Sequence, residues 1–534
     1  MSEPVSFGRV ELNLVASLNS RGGRPDEGTP FRVLLLGNFS GRAGRGEAVE
    51  PETLALRRPV VVDRDNLDEV LRRTAPRVRL SLAEGGPPLD IYFDSLEDFH
   101  PDRLYERLEI FRALRVTRRK LGDPSTFRDA AEEVRRWAST GEAAQDATPR
   151  QDSETPLQPD TTRDLIEQML AAKSAPQSGE ASARAGESPG EGAGPSSSES
   201  SDFGRFLRAV VGPHVTADTD ARAEELTRVV DEAVGSTMRA VLHHADFRAL
   251  EAAWRAVRFL VYNVETGPEL KFYLLDLTRD ELAADLLASE DLARTALYRL
   301  LVEGSSETHG GEPWAFVAGD YTFDTTSEDA QLLGRLAKIA DAAGVPFVAA
   351  AHARLAGCDS LAAAPDPEDW RHAPDAPDAE AWRALRRLPE SARLGLALPR
   401  FLLRLPYGAE TDPADSFDFE ETQGGEPPHE SYLWGNPAFA LARLLAESFT
   451  RSGWDMRPGD VQQFGGLPLH VYEAGGETHT KPCAEVLLGE RAARLLLERG
   501  LMPLLSFKDR DDLRLARFQS LSDPPTRLAG RWDS

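Results

Sequence analysis

Cysteine is nearly absent: Cys358 and Cys483 are the only two in 534 residues. They stand far apart and outside any C-x-x-C spacing, which argues against a disulfide framework and suits a reducing compartment. Positive charge is also short. Lys and Arg number 62 against 88 Asp and Glu, a formal net charge of −26 with histidine neutral. Nucleic-acid binding that tracks phosphates needs clustered Lys and Arg, so the balance argues against that function. No uninterrupted apolar run approaches the ~18 residues of a membrane helix. The opening MSEPVSFGRVELNLVAS lacks the charged n-region and long apolar h-region of a signal peptide. The expectation is a soluble, cytoplasmic chain with no membrane insertion.

What is present is globular: 41% hydrophobic and 28% charged residues, ample for sizeable cores. The sharpest landmark is a break in composition. Residues 174–202, SAPQSGEASARAGESPGEGAGPSSSESSD, contain no Val, Ile, Leu, Phe, Met, Trp or Tyr. Such a stretch cannot bury enough surface to offset its ordering entropy and is predicted to be a flexible linker. A second polar stretch, 139–162, extends it. Between them RDLIEQMLAAK (163–173) puts Leu165, Ile166, Met169 and Leu170 on one helical face. That island reads either as an accident of composition or as a docking peptide. The boundaries are then a domain at 1–138, a linker at 139–205 and a domain at 206–534.

Each flank of the linker alternates strand and helix signals, predicting α/β structure with mixed sheets in two domains. FRVLLLG (31–37) reads as a buried strand, PVVVD (59–63) and LDIYF (89–93) as further strands, and VELNLVA near the start as an edge strand. Leu104, Leu108, Phe111 and Leu114 predict one helix over 101–121, stopped by Gly122 and Pro124. After the linker, Leu226 to Val241 and Phe247 to Val261 carry two long helical stripes. Leu270–Leu275, WAFVAGDY and VPFVAAA read as strands. The helix between the last two, capped by Ser327 and ended by Gly344, makes a βαβ crossover and hence a parallel or mixed sheet.

Catalytic motifs do not assemble. LLLGNFSGRAGRGE places glycines after a strand, but Gly37, Gly41, Gly44 and Gly46 give neither G-x-x-x-x-G-K-[ST] nor G-x-G-x-x-G, so a tight polar turn is the preferred reading. Asp63-Arg64-Asp65-Asn66 lacks the histidine and downstream D-F-G of a kinase loop and reads as a helix cap by Asp65 or Asn66. Asp320, Asp324, Glu328 and Asp329 miss the EF-hand spacing and read as a solvated capping loop. His243 and His244 are adjacent, so their side chains diverge on a helix. No G-x-S-x-G elbow occurs. Neither enzyme chemistry nor a cofactor or metal site is expected.

Several long segments carry a resemblance. LLLGNFSGR (34–42), RRPVVVDRDNLDEVL (57–71) and FDSLEDFHPDRLYERL (93–108) resemble the small sheath subunit of bacterial type VI secretion systems, TssB or VipA. LHHADFRALEAAWRAVRFLV (242–261), the run from Phe316 to Ala351, LGLALPRFLLRLPYG (394–408) and YLWGNPAFALA (432–442) resemble the large subunit, TssC or VipB. In the DFRALEAAWR helix, Phe247, Leu250 and Trp254 would enter a core, leaving Arg248, Glu251 and Arg255 to solvent or a partner. Arg400 and Arg404 would pair with acidic neighbours, DSFDFEE (415–421) being a candidate.

The resemblance implies a structural sheath component that self-associates, or joins other sheath subunits, around an inner Hcp-like tube on a baseplate to drive effector export. It implies neighbours joined by exchanged strands, contraction between two packings, and recycling by a ClpV-type AAA+ ATPase. The family's recycling helix lies near the start of the large subunit, the place occupied here by Leu165, Ile166, Met169 and Leu170. Both subunits on one chain would pair at roughly millimolar effective concentration. The family's large subunit continues past the segment resembling GLMPLLSFKDRDDLRLARFQS, which leaves a second expectation open: a non-contractile, sheath-derived scaffold, cap or assembly regulator. Residues 6–17 are the expected strand donor.

Overall fold

The run FRVLLLG forms β1 (Phe31–Gly37), and only Arg32 among its seven residues is not buried. A strand apolar on both faces requires cover on both sides, which an interior position in a helix-flanked sheet supplies. The computed structural model describes residues 5–10, 24–47, 51–82, 87–138, 207, 210–211, 223–304, 312–422 and 424–533. They divide between two compact units, one bounded by 1–82, 88–116 and 234–534, the other by 83–87 and 117–233.

In the larger unit the strands continue as β2 (Val60–Val62), β3 (Arg77–Leu80), β4 (Leu89–Tyr92), β5 (Leu270–Asp276), β6 (Phe316–Phe323), β7 (Phe347–Ala351) and β8 (Leu394–Leu398). Then follow β9 (Phe401–Arg404), β10 (Leu433–Gly435), β11 (Gln463–Phe464), β12 (His470–Ala474), β13 (Glu477–Lys481), β14 (Leu501–Ser506) and β15 (Leu513–Leu515). Nine of them make one mixed sheet in the order β11-β15-β14-β8-β7-β6-β1-β5-β2. β5, β1, β6, β7, β8 and β14 run parallel, while β2 and β15 pair antiparallel at the two sides. Three two-stranded ribbons, β3-β4, β9-β10 and β12-β13, complete the strands.

The mixed α/β class matches the sequence reading, and so does the βαβ crossover of β6, the helix Ser327–Ala343 and β7. Its N-cap is Thr326 rather than Ser327, accepting from the Asp329 N–H at 3.2 Å, and Gly344 closes it at φ 69°. The allotment of strands differs. β1 and β2 come from before the 139–205 stretch, yet they join strands from after it in one sheet. The edges of β1 are met by β5, in register Phe31↔Leu270 to Gly37↔Asp276, and by β6, in register Val33↔Phe316 to Leu36↔Gly319.

The single helix expected over 101–121 is two, Pro101–Arg107 and Glu109–Gly122. Leu108 between them is extended (φ −77°, ψ 134°), and Arg115 Nη2 donates to the Glu106 carbonyl near the break, at 3.0 Å. Of the expected donor strand 6–17, residues 11–17 lie outside the described residues. Arg9 bridges to Asp291, and Gln331 donates to the Ser6 carbonyl, so these residues are held within the chain. In the smaller unit the helix Phe127–Ala138 buries Ala130, Val134 and Trp137, and Arg118 Nη2 meets Asp231 Oδ2 at 3.0 Å. No helix among the described residues is long and apolar enough to cross a membrane.

Replacing Leu35, fully buried at the centre of β1, by Ala should lower unfolding stability by about 2–5 kcal/mol in a denaturant titration. Val61→Ala, at an exposed position of edge strand β2, should change it by less than about 1 kcal/mol.

Candidate functional site

Where a sheet's interior strand comes from a separate stretch of sequence, the joint around that strand is the first place to look for function. Gly37 ends β1, and the turn after it is tied to β5 by charge. The Ser40 N–H donates to Asp276 Oδ1 at 3.0 Å. Arg42 forms ion pairs with Asp276 at 3.0 Å and Glu281 at 2.9 Å, and Arg57 reaches Glu281 at 2.6 Å. Burial alone would raise the Glu281 carboxyl, but hydrogen bonds from Arg57 and the Thr278 N–H, with the charge of Arg42, hold it below the usual glutamate range. Thr278 and Glu281 form a capping box on the helix Arg279–Leu287, so this carboxylate is fixed from both sides.

Gly41 sits at φ +75°, and a Cβ there would lie 2.3 Å from the Arg77 carbonyl oxygen, so the turn can close only on glycine. The cations beside the turn, Arg42 and Arg57, are already engaged by carboxylates. A tight polar turn, not a phosphate cradle, is what the glycines build. Asp320 lies beside Gly37, and burial pushes its carboxyl up to about 7 against a hydrogen bond from Asn436. It therefore stands apart from the capping loop with which its sequence position groups it. Asp329 does belong there, accepting from the Asp324 N–H at 2.6 Å.

Aromatic rings close the joint. Trp254 Nε1 donates to the Phe39 carbonyl at 2.8 Å, and Phe93, Phe99 and Phe247 pack with ring centroids 3.9 to 5.8 Å apart. Phe247, Leu250 and Trp254 enter the core as the helical stripe predicts. The expectation for the other face of the helix Ala245–Asn263 is corrected. Glu251 is fully buried, Arg248 donates to the Tyr432 carbonyl, and Arg255 is turned onto the chain itself.

The reason is a second ionic cluster. Arg404 Nε meets Glu251 at 2.9 Å and its Nη1 meets Glu421 at 2.8 Å, with Arg404 and both carboxylates nearly excluded from solvent. Arg255 bonds Glu251 at 2.7 Å and donates to the Tyr407 hydroxyl at 2.9 Å. Two cations and two anions make the cluster neutral, which is the condition for burying charge without a large penalty. Burial raises the Glu421 carboxyl, but Arg404, His243 and the Tyr407 N–H outweigh it and hold the group at about 2. Pairing of Arg404 with the acidic run 415–421 is thus observed, whereas Arg400 pairs outside that run, its Nε donating to Glu485 at 2.9 Å.

His243 bonds Glu421 at 3.1 Å while His244 accepts from the Asp246 N–H at 3.3 Å as an N-cap, so the two imidazoles diverge. In the DRDN segment Asn66 rather than Asp65 is the N-cap, but its side chain makes no capping bond, and Asp63 instead accepts from the Asp65 and Asn66 N–H groups at 2.9 Å. Leu165, Ile166, Met169 and Leu170 lie outside the described residues.

Comparison with known proteins fits this geometry. Residues 224–522, more than half of the chain, match the VipB family profile, described as EvpB/VC_A0108, tail sheath N-terminal domain. The chain belongs to the VipB tail-sheath family. Residues 7–138 match a second profile, Type VI secretion system, VipA, VC_A0107 or Hcp2. The type VI secretion system sheath protein TssC1 of Pseudomonas aeruginosa is 35% identical over 316 residues, 58% of this chain and 63% of that protein. The sheath protein TssB1 of the same organism is 28% identical over 105 residues, 19% of this chain and 59% of TssB1. The chain therefore spans less than two thirds of the length of each of these sheath proteins. The two matched stretches are the ones whose strands alternate around β1.

Sequence reasoning placed Glu251 on an outer face and missed Tyr407 and the Asp276–Glu281 pair. The Thr278-x-x-Glu281 capping box was legible, and so was the Glu251/Arg255 spacing of four. Nothing in the sequence brought Arg42 and Arg57 to them across more than 200 residues.

Glu421→Gln should show what the buried cluster contributes. A carboxyl held at about 2 against an ordinary 4.5 adds stability that is full above 4.5 and lost as pH falls towards 2. The variant should be less stable by about 3 kcal/mol at pH 7, with the difference shrinking below about pH 4 in parallel denaturant titrations.

Proposed function

We propose that this chain is a structural, non-catalytic sheath-type subunit of a bacterial type VI secretion apparatus, with the small-subunit and large-subunit parts carried on one polypeptide. The observation that carries the proposal is the position of β1. A strand from the VipA-matched stretch is bonded on both edges by strands of the VipB-matched stretch. On this reading the chain divides into a small-subunit-like segment at 1–138, a link at 139–205 and a large-subunit-like segment at 206–534. The fused arrangement locks their ratio at one to one.

The sheath would assemble in the cytoplasm by self-association around an inner, Hcp-like tube seated on a baseplate. The ion pairs of Arg42 and Arg57 with β5 and its following helix fit a part that bears load, because they tie the inserted strand's exit to its neighbour. Purified chain examined by negative-stain electron microscopy should form tubes; particles that stay monomeric under assembling conditions would overturn the sheath assignment.

For recycling, the proposal assigns Leu165, Ile166, Met169 and Leu170 to contact a ClpV-type AAA+ ATPase. A carboxylate at two positions of that stripe would remove its apolar face. Leu165→Asp combined with Met169→Asp should abolish binding to an isolated ClpV-type N-terminal domain in a pull-down, and retained binding would show that these residues are not the contact.

A further inference from the structure

Beside the joint, sharing Arg57 with it, lies a groove with a volume of about 900 Å³. Its apolar lining includes Leu275, Leu277 and Leu300, and its aromatic wall is Tyr273 with Trp314, rings at 87° and 5.1 Å apart. Arg32 lies over both rings, 4.7 and 4.0 Å from their centroids. Leu56, flanked by the lining residues Ala55 and Arg57, is 77% exposed and carries the apolar surface outward.

The charge of this groove opposes that of the chain. Arg32, Arg57, Arg58 and Arg299 line it against one acid, Glu303. Arg57 is engaged by Glu281 and Arg32 lies 3.8 Å from Glu312. Arg58 and Arg299 form no carboxylate ion pair among the described residues. Arg58 donates to the Ala55 and Arg57 carbonyls, and Arg299 acts on the buried Asp285 through charge alone, without a direct bond. Two guanidiniums, one on the loop before β2 and one on a helix, without an ion pair among the described residues and flanking an apolar groove in a chain of net charge −26, match carboxylates supplied from outside.

We propose that this groove receives an amphipathic helix of a partner protein, one that lays an apolar stripe against Leu56, Tyr273 and Leu300, over the buried Trp314, and presents carboxylates to Arg58 and Arg299. Helix-in-groove recognition needs an apolar trough longer than a single side chain and polar anchors at its border, and both are present. The proposal does not rest on the sheath reading, because binding is measured on the free chain whether or not tubes form.

The probe is a fluorescent synthetic helix of about 18 residues, five turns, with Leu at i, i+3, i+4 and i+7 and Glu beside that stripe. By anisotropy it should bind the full chain, and its counterpart with Lys for Glu should bind at least about tenfold more weakly. Arg58→Glu with Arg299→Glu should weaken the Glu helix at least about tenfold while circular dichroism is unchanged. Leu56→Asp, a second exposed change, should weaken both helices. Equal binding of the Glu and Lys helices, undiminished binding by the double variant, or no binding would overturn the proposal. So would saturable binding of dodecanoate in place of the helix, which would make the groove a fatty-acid site.

Discussion

The larger unit depends on β1 being hydrogen-bonded along both edges by strands distant in sequence. An interior strand of a parallel sheet has no alternative environment: its amide groups need partners on each side and its apolar side chains need cover on both faces. Without β1, strands β5 and β6 would flank an open gap, and the cover it gives their neighbours would be lost. The rest of the joint follows from that constraint. The turn after Gly37 must bend sharply, so Gly41 takes a positive φ against the Arg77 carbonyl. The polar ends of β1 and β5 must be neutralised where they emerge, which Arg42, Arg57, Asp276 and Glu281 accomplish together.

The Arg404 cluster works on a different principle. Here two arginines and two glutamates are withdrawn from water, and their value lies in geometry more than in net stabilisation. Arg404 at the end of β9, Glu251 on the helix Ala245–Asn263 and Glu421 after a long loop satisfy one another in this arrangement. Loss of one member would leave a buried charge unmatched. Such a cluster specifies how the helix meets the ribbon β9-β10, and it explains why the polar side of an amphipathic-looking helix is not at the surface.

Local pattern recovered six of the fifteen described strands and several of the longer helices. β1, β2, β4, β5, β6 and β7 were each legible as short apolar runs, and the β6–helix–β7 crossover followed from their spacing. The helix break at Leu108 was not legible, because the apolar period runs through it and only the tertiary setting pulls Leu108 into extended conformation. For the site, the pairing of Arg404 with the acidic run was legible as charge complementarity. Arg400 was assigned the same run, but Glu485 lies 85 residues on and no local signal marks it. The sense of Arg248, Glu251 and Arg255 was missed because helical periodicity ranks residues by polarity, and a buried ionic cluster inverts that ranking.

The α/β class, the acidic balance, the polar stretch that divides the chain and the sheath resemblance on both of its flanks were all readable from the amino-acid order. These are properties of composition and short-range period, which one strand or one helix expresses alone. That the two flanks share a sheet emerged only in three dimensions. So did the meeting of Arg42 and Arg57 with carboxylates more than 200 residues away, and the gathering of four arginines at one apolar groove. Those outcomes depend on which strand edges pair and which charges are neutralised across space, and no window of sequence contains both partners.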